Sequence, residues 1–199
     1  MDGISPRPLF GGAISCSFPE RLQDVSSIRE VPDNQEVYAD PNRDESMIIE
    51  ILEHEKNVTD AHSAAWFLQD LAREQDAADS LVVEDLKTLT MGDTPFLGSQ
   101  YAVSVAVGRM AVSKGRQGAE AKNVLRVYLA NIRLPNTNSD ILVTVYEPLL
   151  ISEQSETARV LGAGIPVSAE SAGVVPASEI FRVALSTFQI NDWGLFGHP

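Results

Sequence analysis

The chain has 199 residues, 44% of them hydrophobic and 22% charged, which is enough for one domain with a single core and short for two. Its formal net charge of -13, from 15 lysines and arginines against 28 aspartates and glutamates, disfavours binding to nucleic acid and opposes approach to an anionic membrane. The single cysteine, Cys16, excludes an intramolecular disulfide and fits a reducing compartment, and we expect neither a membrane-spanning segment nor a targeting leader.

The N-terminal part of the chain is predicted to be mainly β-strand. Apolar anchors predict one opening strand at 9–19, after which Asp24 can cap a short turn. Two further strands are predicted at 35–39 and 46–53. Alternation along the second of them turns Glu50 away from its core-facing neighbours.

A change of period then predicts a helix at 60–75, where alanines and leucines form one stripe. Strand character returns in four segments, at 81–89, 101–112, 123–134 and 140–146. The link between the last two is too short for a parallel crossover, so these strands should pair antiparallel.

The C-terminal part changes composition and then becomes helical again. Residues 151–177 are rich in Ala, Gly, Ser, Val and Pro without a sustained period, which predicts a long and partly mobile insertion in the single domain. A second helix is predicted at 178–189, with Trp193, Leu195 and Phe196 closing the core beyond it. The sum is an α+β fold, a mainly antiparallel sheet of about six strands packed between α-helices.

The motifs of common enzymes are missing from the sequence. It has no G-x-S-x-G elbow, H-E-x-x-H helix or phosphate-binding G-x-x-x-x-G-K-[ST] loop. The three histidines, His54, His62 and His198, lack the spacing of metal ligands, so neither a metal nor a cofactor is expected. Glu50 and Glu53 resemble an acid–base couple, but on a strand they face opposite sides unless a bulge intervenes, which makes a hydrolase the least favoured function.

The segment 31–37 is the most informative stretch for function. It carries two carboxamides and two carboxylates on a backbone that Pro32 stiffens. A rigid acidic segment of this kind suits partner binding, because little conformational entropy is lost when a partner docks. The alternative is that each residue serves locally, as a cap, a turn hydrogen bond or a weak surface ion pair.

Three blocks of sequence resemble the Ran guanine-nucleotide release factor family, or Mog family. They are LFGGAI at 9–14, DVSSIREVPDNQEVY at 24–38 and DESMIIEILE at 44–53. Weaker similarity follows at 65–71, 132–135 and 140–144. In this order the segments cover most of the chain as far as Leu149.

The resemblance implies a PsbP-like fold and a nuclear and cytosolic protein that binds the small GTPase Ran. Such a protein promotes guanine-nucleotide release without covalent chemistry, and we expect it to be a monomer without nucleic-acid or membrane partners. The alternative function is a non-catalytic scaffold or trafficking adaptor on the same fold. The partner-binding surface implied by the resemblance consists of Asp24, Arg29, Pro32, Asp33, Asn34, Gln35, Glu36, Glu50 and Glu53.

Overall fold

The computed structural model describes residues 2–113 and 119–197, and this part of the chain forms two antiparallel sheets with four α-helices. The strands are β1 (Ile4–Leu9), β2 (Ile14–Pro19), β3 (Gln23–Asp24), β4 (Gln35–Asp40), β5 (Glu45–Glu53), β6 (Val82–Thr88), β7 (Val103–Ser113), β8 (Lys122–Leu134), β9 (Ser139–Leu150) and β10 (Gln189–Ile190). The α-helices are α1 (Ser63–Glu74), α2 (Glu156–Leu161), α3 (Ala169–Ala172) and α4 (Ala177–Ser186). None of these helices is long and apolar enough to cross a membrane. His198, for which the sequence predicts no metal-binding role, lies outside the described residues.

The larger sheet has seven strands, one more than the sequence predicted, in the order β3-β4-β5-β9-β8-β7-β6. Strands β8 and β9 pair antiparallel, as the short link between them required. Alternation divides the side chains between two faces. On one face Met47 and Ile49 of β5 join Val143 and Val145 of β9 in the larger core cluster, so the centre of the sheet is apolar there.

The smaller sheet consists of β1, β2 and β10, and it corrects the prediction of one strand at 9–19. Residues 10–12 reverse the chain with positive φ angles of 49° at Phe10, 66° at Gly11 and 91° at Gly12. The two glycines adopt this geometry without the steric penalty of a side chain, so the expected bend is a full hairpin turn. The hairpin and α4 cover the first face of the larger sheet, with Phe18 and Phe188 fully buried.

Helix α1 covers the second face of the larger sheet, close to where the helical stripe predicted a helix. Its buried residues Ala64, Phe67, Leu68 and Ala72 pack against β7 and β8. Gly108 on β7 permits this contact, because a Cβ there would lie 3.0 Å from Leu68 Cδ2. The sheet therefore lies between helices, and the predicted α+β fold is confirmed.

The C-terminal residues complete the first face. Residues 151–176 contain α2 and α3, and Ile151 pairs with Gly164 in an isolated bridge; the mobility of this segment stays a prediction. Leu195 and Phe196 pack against the core as expected, but Trp193 is 40% exposed and stacks on Tyr101 with ring centroids 5.4 Å apart.

A buried ion pair joins the central strands to the loop that precedes α1. Arg133 on β8 lies directly opposite Asp140 on β9, and both side chains are almost completely excluded from solvent. Arg133 Nε is 3.2 Å from Asp140 Oδ1, while Nη1 donates to the carbonyl oxygen of Val58 at 2.7 Å and lies 3.2 Å from the Asp60 carboxylate. The guanidinium thus holds residues 54–62 against the end of the sheet.

Asp140 fixes the same loop from the other side of the pair. Its Oδ2 accepts a hydrogen bond from the backbone N–H of Glu55 at 2.8 Å, and its Oδ1 lies 3.3 Å from His54 Nδ1. Arg133 also donates to the carbonyl oxygen of Glu55. Because this loop leads directly into α1, the network sets where the helix begins on the sheet.

Replacing the buried arginine tests this role. Arg133→Met should lower the free energy of unfolding by about 3–5 kcal/mol, because it leaves Asp140 as a buried charge without its partner. Urea unfolding at neutral pH measures the loss. The matched control is Arg182→Met, whose ion pair with Glu179 is exposed and whose loss should be much smaller. Equal losses from the two variants would contradict this account of the network.

Candidate functional site

An open cleft lies between helix α1 and strands β4 and β5, on the face of the sheet that α1 covers. We call it the acidic cleft, because Gln35, Glu50, Asp70 and Glu74 line it beside apolar groups. Its volume is about 320 Å³. The apolar lining is made by Ile48, Leu52, Phe67, Leu71, Leu129, Leu142 and Tyr146.

The regular geometry of strand and helix explains how the acidic side chains converge. On β5, Ile49 faces the opposite core, so strand alternation turns Glu50 toward α1. Gln35 is the direct cross-strand neighbour of Glu50 on β4. Asp70 and Glu74 are four residues apart on α1 and therefore lie along the same side of the helix. Two distant parts of the chain thus supply the two walls.

Side-chain hydrogen bonds and the charges of Glu50 and Glu74 define the polar part of the acidic cleft. Gln35 Nε2 donates to Glu50 Oε1 at 2.8 Å, and Gln75 Nε2 donates to the hydroxyl of Tyr146 at 3.4 Å. Burial raises the pKa of Tyr146 to about 12, with smaller contributions in the same direction from Glu50 and Glu74, while the hydrogen bond from Gln75 opposes the shift. Glu50 and Glu74 therefore both affect the ionisation of the same group, the hydroxyl of Tyr146.

A second groove continues the acidic cleft toward the N-terminal loop. Its volume is about 340 Å³, and it shares Ile48, Gln75 and Tyr146 with the cleft. Arg29 and Asp44 also line this second groove. The combined surface has carboxylates along an apolar lining, which suits lysine or arginine side chains because their stems are apolar and their ends cationic.

The loop 29–34, which overlaps the segment 31–37 predicted to be rigid and acidic, lies beside the acidic cleft. Ile51 N–H donates to the carbonyl oxygen of Asn34 at 2.9 Å, and Asn34 Nδ2 donates to the carbonyl oxygen of Ile51 at 3.0 Å. The N–H of Gln35 donates to the carbonyl oxygen of Pro32 at 2.9 Å. These bonds tie the turn to β5 and leave Pro32 and Asp33 exposed.

Glu36 has a different position from the one expected for a shared surface. Strand alternation turns it to the face opposite Gln35, where its Oε1 accepts a hydrogen bond from the Phe10 N–H at 2.5 Å. Its Oε2 accepts another from the Tyr38 hydroxyl at 3.3 Å. The Glu36 carboxylate therefore holds the turn of the β1–β2 hairpin against β4.

Asp24 and Glu53 also lie apart from the acidic cleft. Asp24 Oδ1 accepts a hydrogen bond from the Ser26 N–H at 2.8 Å, as expected for a residue that caps the turn. Glu53 is exposed, and Asn138 Nδ2 donates to its Oε1 at 3.3 Å. The residues predicted to form one surface are therefore divided between the two faces of the sheet.

The structure does not bring Glu50 and Glu53 together as an acid–base couple. The pairing of β5 with β9 runs without a shift from Ser46 to Glu53, so no bulge in that pairing turns the two carboxylates to one face. Among the described residues, no group of three or more His, Cys, Asp and Glu is arranged to hold a metal ion.

Sequence reasoning missed Asp70, Glu74 and Tyr146 because they lie far along the chain from the N-terminal acidic block. A signal was available for the first two. Their spacing of four residues, beside the apolar stripe of the predicted helix, places both carboxylates on one side of α1. That they face Glu50 follows only from how α1 crosses the sheet.

Comparison with known proteins shows one consistent group of relatives. The family model described as Ran-interacting Mog1 protein matches residues 7–148. The chain is 34% identical over 193 residues to the Ran guanine nucleotide release factor of Danio rerio, which covers 96% of this chain and 99% of that protein. It is 36% identical over 148 residues to the Homo sapiens protein of the same name, covering 74% and 78% of the two chains.

More distant relatives show the same pattern. The nuclear import protein mog1 of Schizosaccharomyces pombe is 30% identical over 186 residues, covering 91% of this chain and 90% of that protein. The crystal structure of the Saccharomyces cerevisiae Ran-binding protein Mog1p superposes with a TM-score of 0.66 at 19% identity. That match covers 99% of this chain and 100% of the yeast chain, and it shows that the fold is shared.

The pKa of Tyr146 predicts how the stability of the protein changes at alkaline pH. Tyrosine in the unfolded chain ionises near pH 10, whereas the folded pKa of Tyr146 is about 12. Its contribution to the free energy of unfolding is therefore fully present below pH 10 and is lost as the pH rises toward 12. Tyr146→Phe should lose less stability over this interval, by up to about 1.4 kcal/mol per pH unit.

Urea unfolding of both proteins at a series of pH values from below 10 up toward 12 measures this difference. Parallel decline of the two proteins would mean that Tyr146 ionises as readily in the fold as in the unfolded chain, contrary to its buried position.

Proposed function

The chain belongs to the Ran-interacting Mog1 protein family, and from this membership we propose that it binds the small GTPase Ran and promotes guanine-nucleotide release. The family consists of Ran-binding regulators, so the proposed activity involves no covalent chemistry. Relatives named for nuclear import support a role in transport between nucleus and cytoplasm, with the protein present in both. The acidic cleft is the structural observation that carries the proposal, because it offers a preformed negative surface for a cationic segment of Ran.

The proposed contact surface combines the acidic cleft with the loop beside it. Gln35, Glu50, Asp70 and Glu74 supply the cleft, and loop 29–34 contributes Arg29, Pro32, Asp33 and Asn34. Of the other residues that the sequence resemblance implies for the surface, Glu36 holds the hairpin turn, and Asp24 and Glu53 do not line the acidic cleft. The proposal therefore does not require contacts from those three.

Electrostatics supports binding of a cationic segment both before contact, through the net charge, and at contact, through individual carboxylates. The net charge of -13 attracts a basic surface before contact and accelerates the encounter. At contact, a carboxylate about 4 Å from a cation contributes roughly 1 kcal/mol in water and about 4 kcal/mol where water is partly excluded. Two or three such contacts, if made only with the conformation of Ran that binds nucleotide weakly, would therefore suffice to change the affinity of Ran for its nucleotide by orders of magnitude.

The proposed mechanism is a shift between conformations of Ran. Small GTPases hold their nucleotide through a lysine, backbone amides and a magnesium ion around the phosphates. A protein that binds the conformation in which these groups have moved raises the population of that conformation and weakens nucleotide binding. By linkage, nucleotide must weaken binding of this protein to Ran by the same factor.

Neutral variants of the cleft acids test the proposal. Glu50→Gln together with Glu74→Gln removes two charges at nearly unchanged side-chain volume, and should reduce the acceleration of nucleotide release by about tenfold or more. The measurement follows the fluorescence of a labelled guanine nucleotide as it leaves Ran, in the presence of a large excess of unlabelled nucleotide.

The control variant carries the same change of net charge on other elements. Glu156→Gln with Glu179→Gln alters the exposed Glu156 and the partly exposed Glu179 at the starts of α2 and α4, and should leave the release rate unchanged. An equal effect of the two double variants would assign the activity to net charge, not to the acidic cleft. Binding to Ran without faster release by the wild-type protein would instead favour the adaptor function.

A further inference from the structure

Strand β6 is an exposed edge, far from the acidic cleft in the order of the sheet. Among the described residues it is the last strand of the seven-stranded sheet, next to β7, whereas the cleft is built on β4 and β5 toward the other end. Every residue of Val82–Thr88 is exposed. Three large apolar residues, Val82 at 51%, Val83 at 39% and Leu86 at 52%, are exposed there. Edges of this kind are templates for pairing with another strand.

The pairing of β6 with β7 shows which backbone groups point outward. The N–H of Leu89 donates to the carbonyl oxygen of Val103, and the same register continues through Lys87 opposite Val105. In an antiparallel ladder, hydrogen-bonded and non-bonded residues alternate. Leu86 and Thr88 therefore direct their N–H and C=O groups away from β7.

We propose that two copies of this chain associate through β6, in an antiparallel pair around a two-fold axis at Leu86. Leu86 of each copy would exchange backbone hydrogen bonds with Leu86 of the other, which joins the two sheets into one. In this register Asp85 lies opposite Lys87 of the second copy, and Lys87 opposite its Asp85. When two antiparallel copies of the segment Asp85-Leu86-Lys87 pair at Leu86, each negative charge therefore lies opposite a positive charge.

Charge selects this register over the two immediately adjacent ones, with the axis at Asp85 or at Lys87. A two-fold axis perpendicular to the sheet requires the central residue to pair with itself, because side-chain faces must match. An axis at Asp85 would place the two Asp85 carboxylates opposite each other, and one at Lys87 would oppose two lysines. Like charges directly across a strand pair are destabilising, whereas opposite charges stabilise the pair. Among these neighbouring registers, the axis at Leu86 alone avoids both repulsions.

The surroundings of β6 are compatible with this pairing. Glu84 is already paired, with Arg109 at 2.5 Å and Arg126 at 2.9 Å. A register shift between Val83 and Asp85 limits the regular part of the edge, so the interface is short. It should bury less than the roughly 1,200 Å² of a typical stable complex, and the dimer should form only at high protein concentration. Dilution then gives the monomer expected from the sequence.

Charge exchange at two positions tests the proposed dimer. Sedimentation equilibrium of the full chain, from low micromolar to about 1 mM protein, measures association at about 0.15 M ionic strength, where repulsion between the two acidic copies is screened beyond about 8 Å. Asp85→Lys alone or Lys87→Asp alone creates a like-charge pair across the axis and should raise the dissociation constant at least about tenfold. The double variant Asp85→Lys with Lys87→Asp restores opposite charges and should return it to near the wild-type value.

The double variant also controls for misfolding. It carries both substitutions and should still associate, so weaker association of the single variants cannot then be attributed to loss of the fold. A wild-type protein that stays monomeric at every concentration would overturn the proposal, as would a dimer that the single variants leave intact or the double variant fails to restore. Since β6 lies apart from the acidic cleft, none of these variants should change Ran nucleotide release. The outcome is therefore independent of the proposed function.

Discussion

The buried pair of Arg133 and Asp140 is the interaction on which the geometry of the acidic cleft depends. It lies between the neighbouring strands β8 and β9, and its hydrogen bonds reach the backbone of the loop that leads into α1. Burying two charges is costly unless both are paired and hydrogen-bonded, and here backbone carbonyl and N–H groups complete the network. The pair therefore holds the loop that leads into α1 in place, and α1 supplies one wall of the cleft.

The cleft itself follows from simple periodicity applied to elements that meet in space. Alternation along β5 sends Ile49 into one core and Glu50 toward α1, while the helical repeat aligns Asp70 with Glu74 on the facing wall. The negative charge lies against apolar side chains, where partial exclusion of water strengthens each contact with a cation. A surface with these properties favours binding and conformational selection in a partner, and the separated Glu50 and Glu53 form no acid–base couple.

Local sequence patterns predicted most of the fold. The features that they did not predict depend on contacts between residues far apart in the chain. The strands at 35–39 and 46–53 and the helix near 60–75 follow from alternation and from an apolar stripe, because these depend on neighbouring residues. The hairpin at 10–12 was missed because Gly11 and Gly12 permit either a bend or a reversal, and only pairing of β1 with β2 decides between them. For the candidate site, Gln35 and Glu50 of the predicted surface lie in the acidic cleft, whereas Glu36 lies on the opposite face because one step along a strand changes the face.

The proposed mechanism requires that Ran bind along the acidic cleft between α1 and β5. Amide chemical shifts of the isotope-labelled chain, recorded while unlabelled Ran is added, test it most directly because every described segment reports at once. We expect the largest shifts at Gln35, Glu50, Asp70 and Glu74 and in loop 29–34, with little change on α4 or the β1–β2 hairpin. Shifts concentrated on the hairpin and α4, with the cleft unaffected, would contradict it.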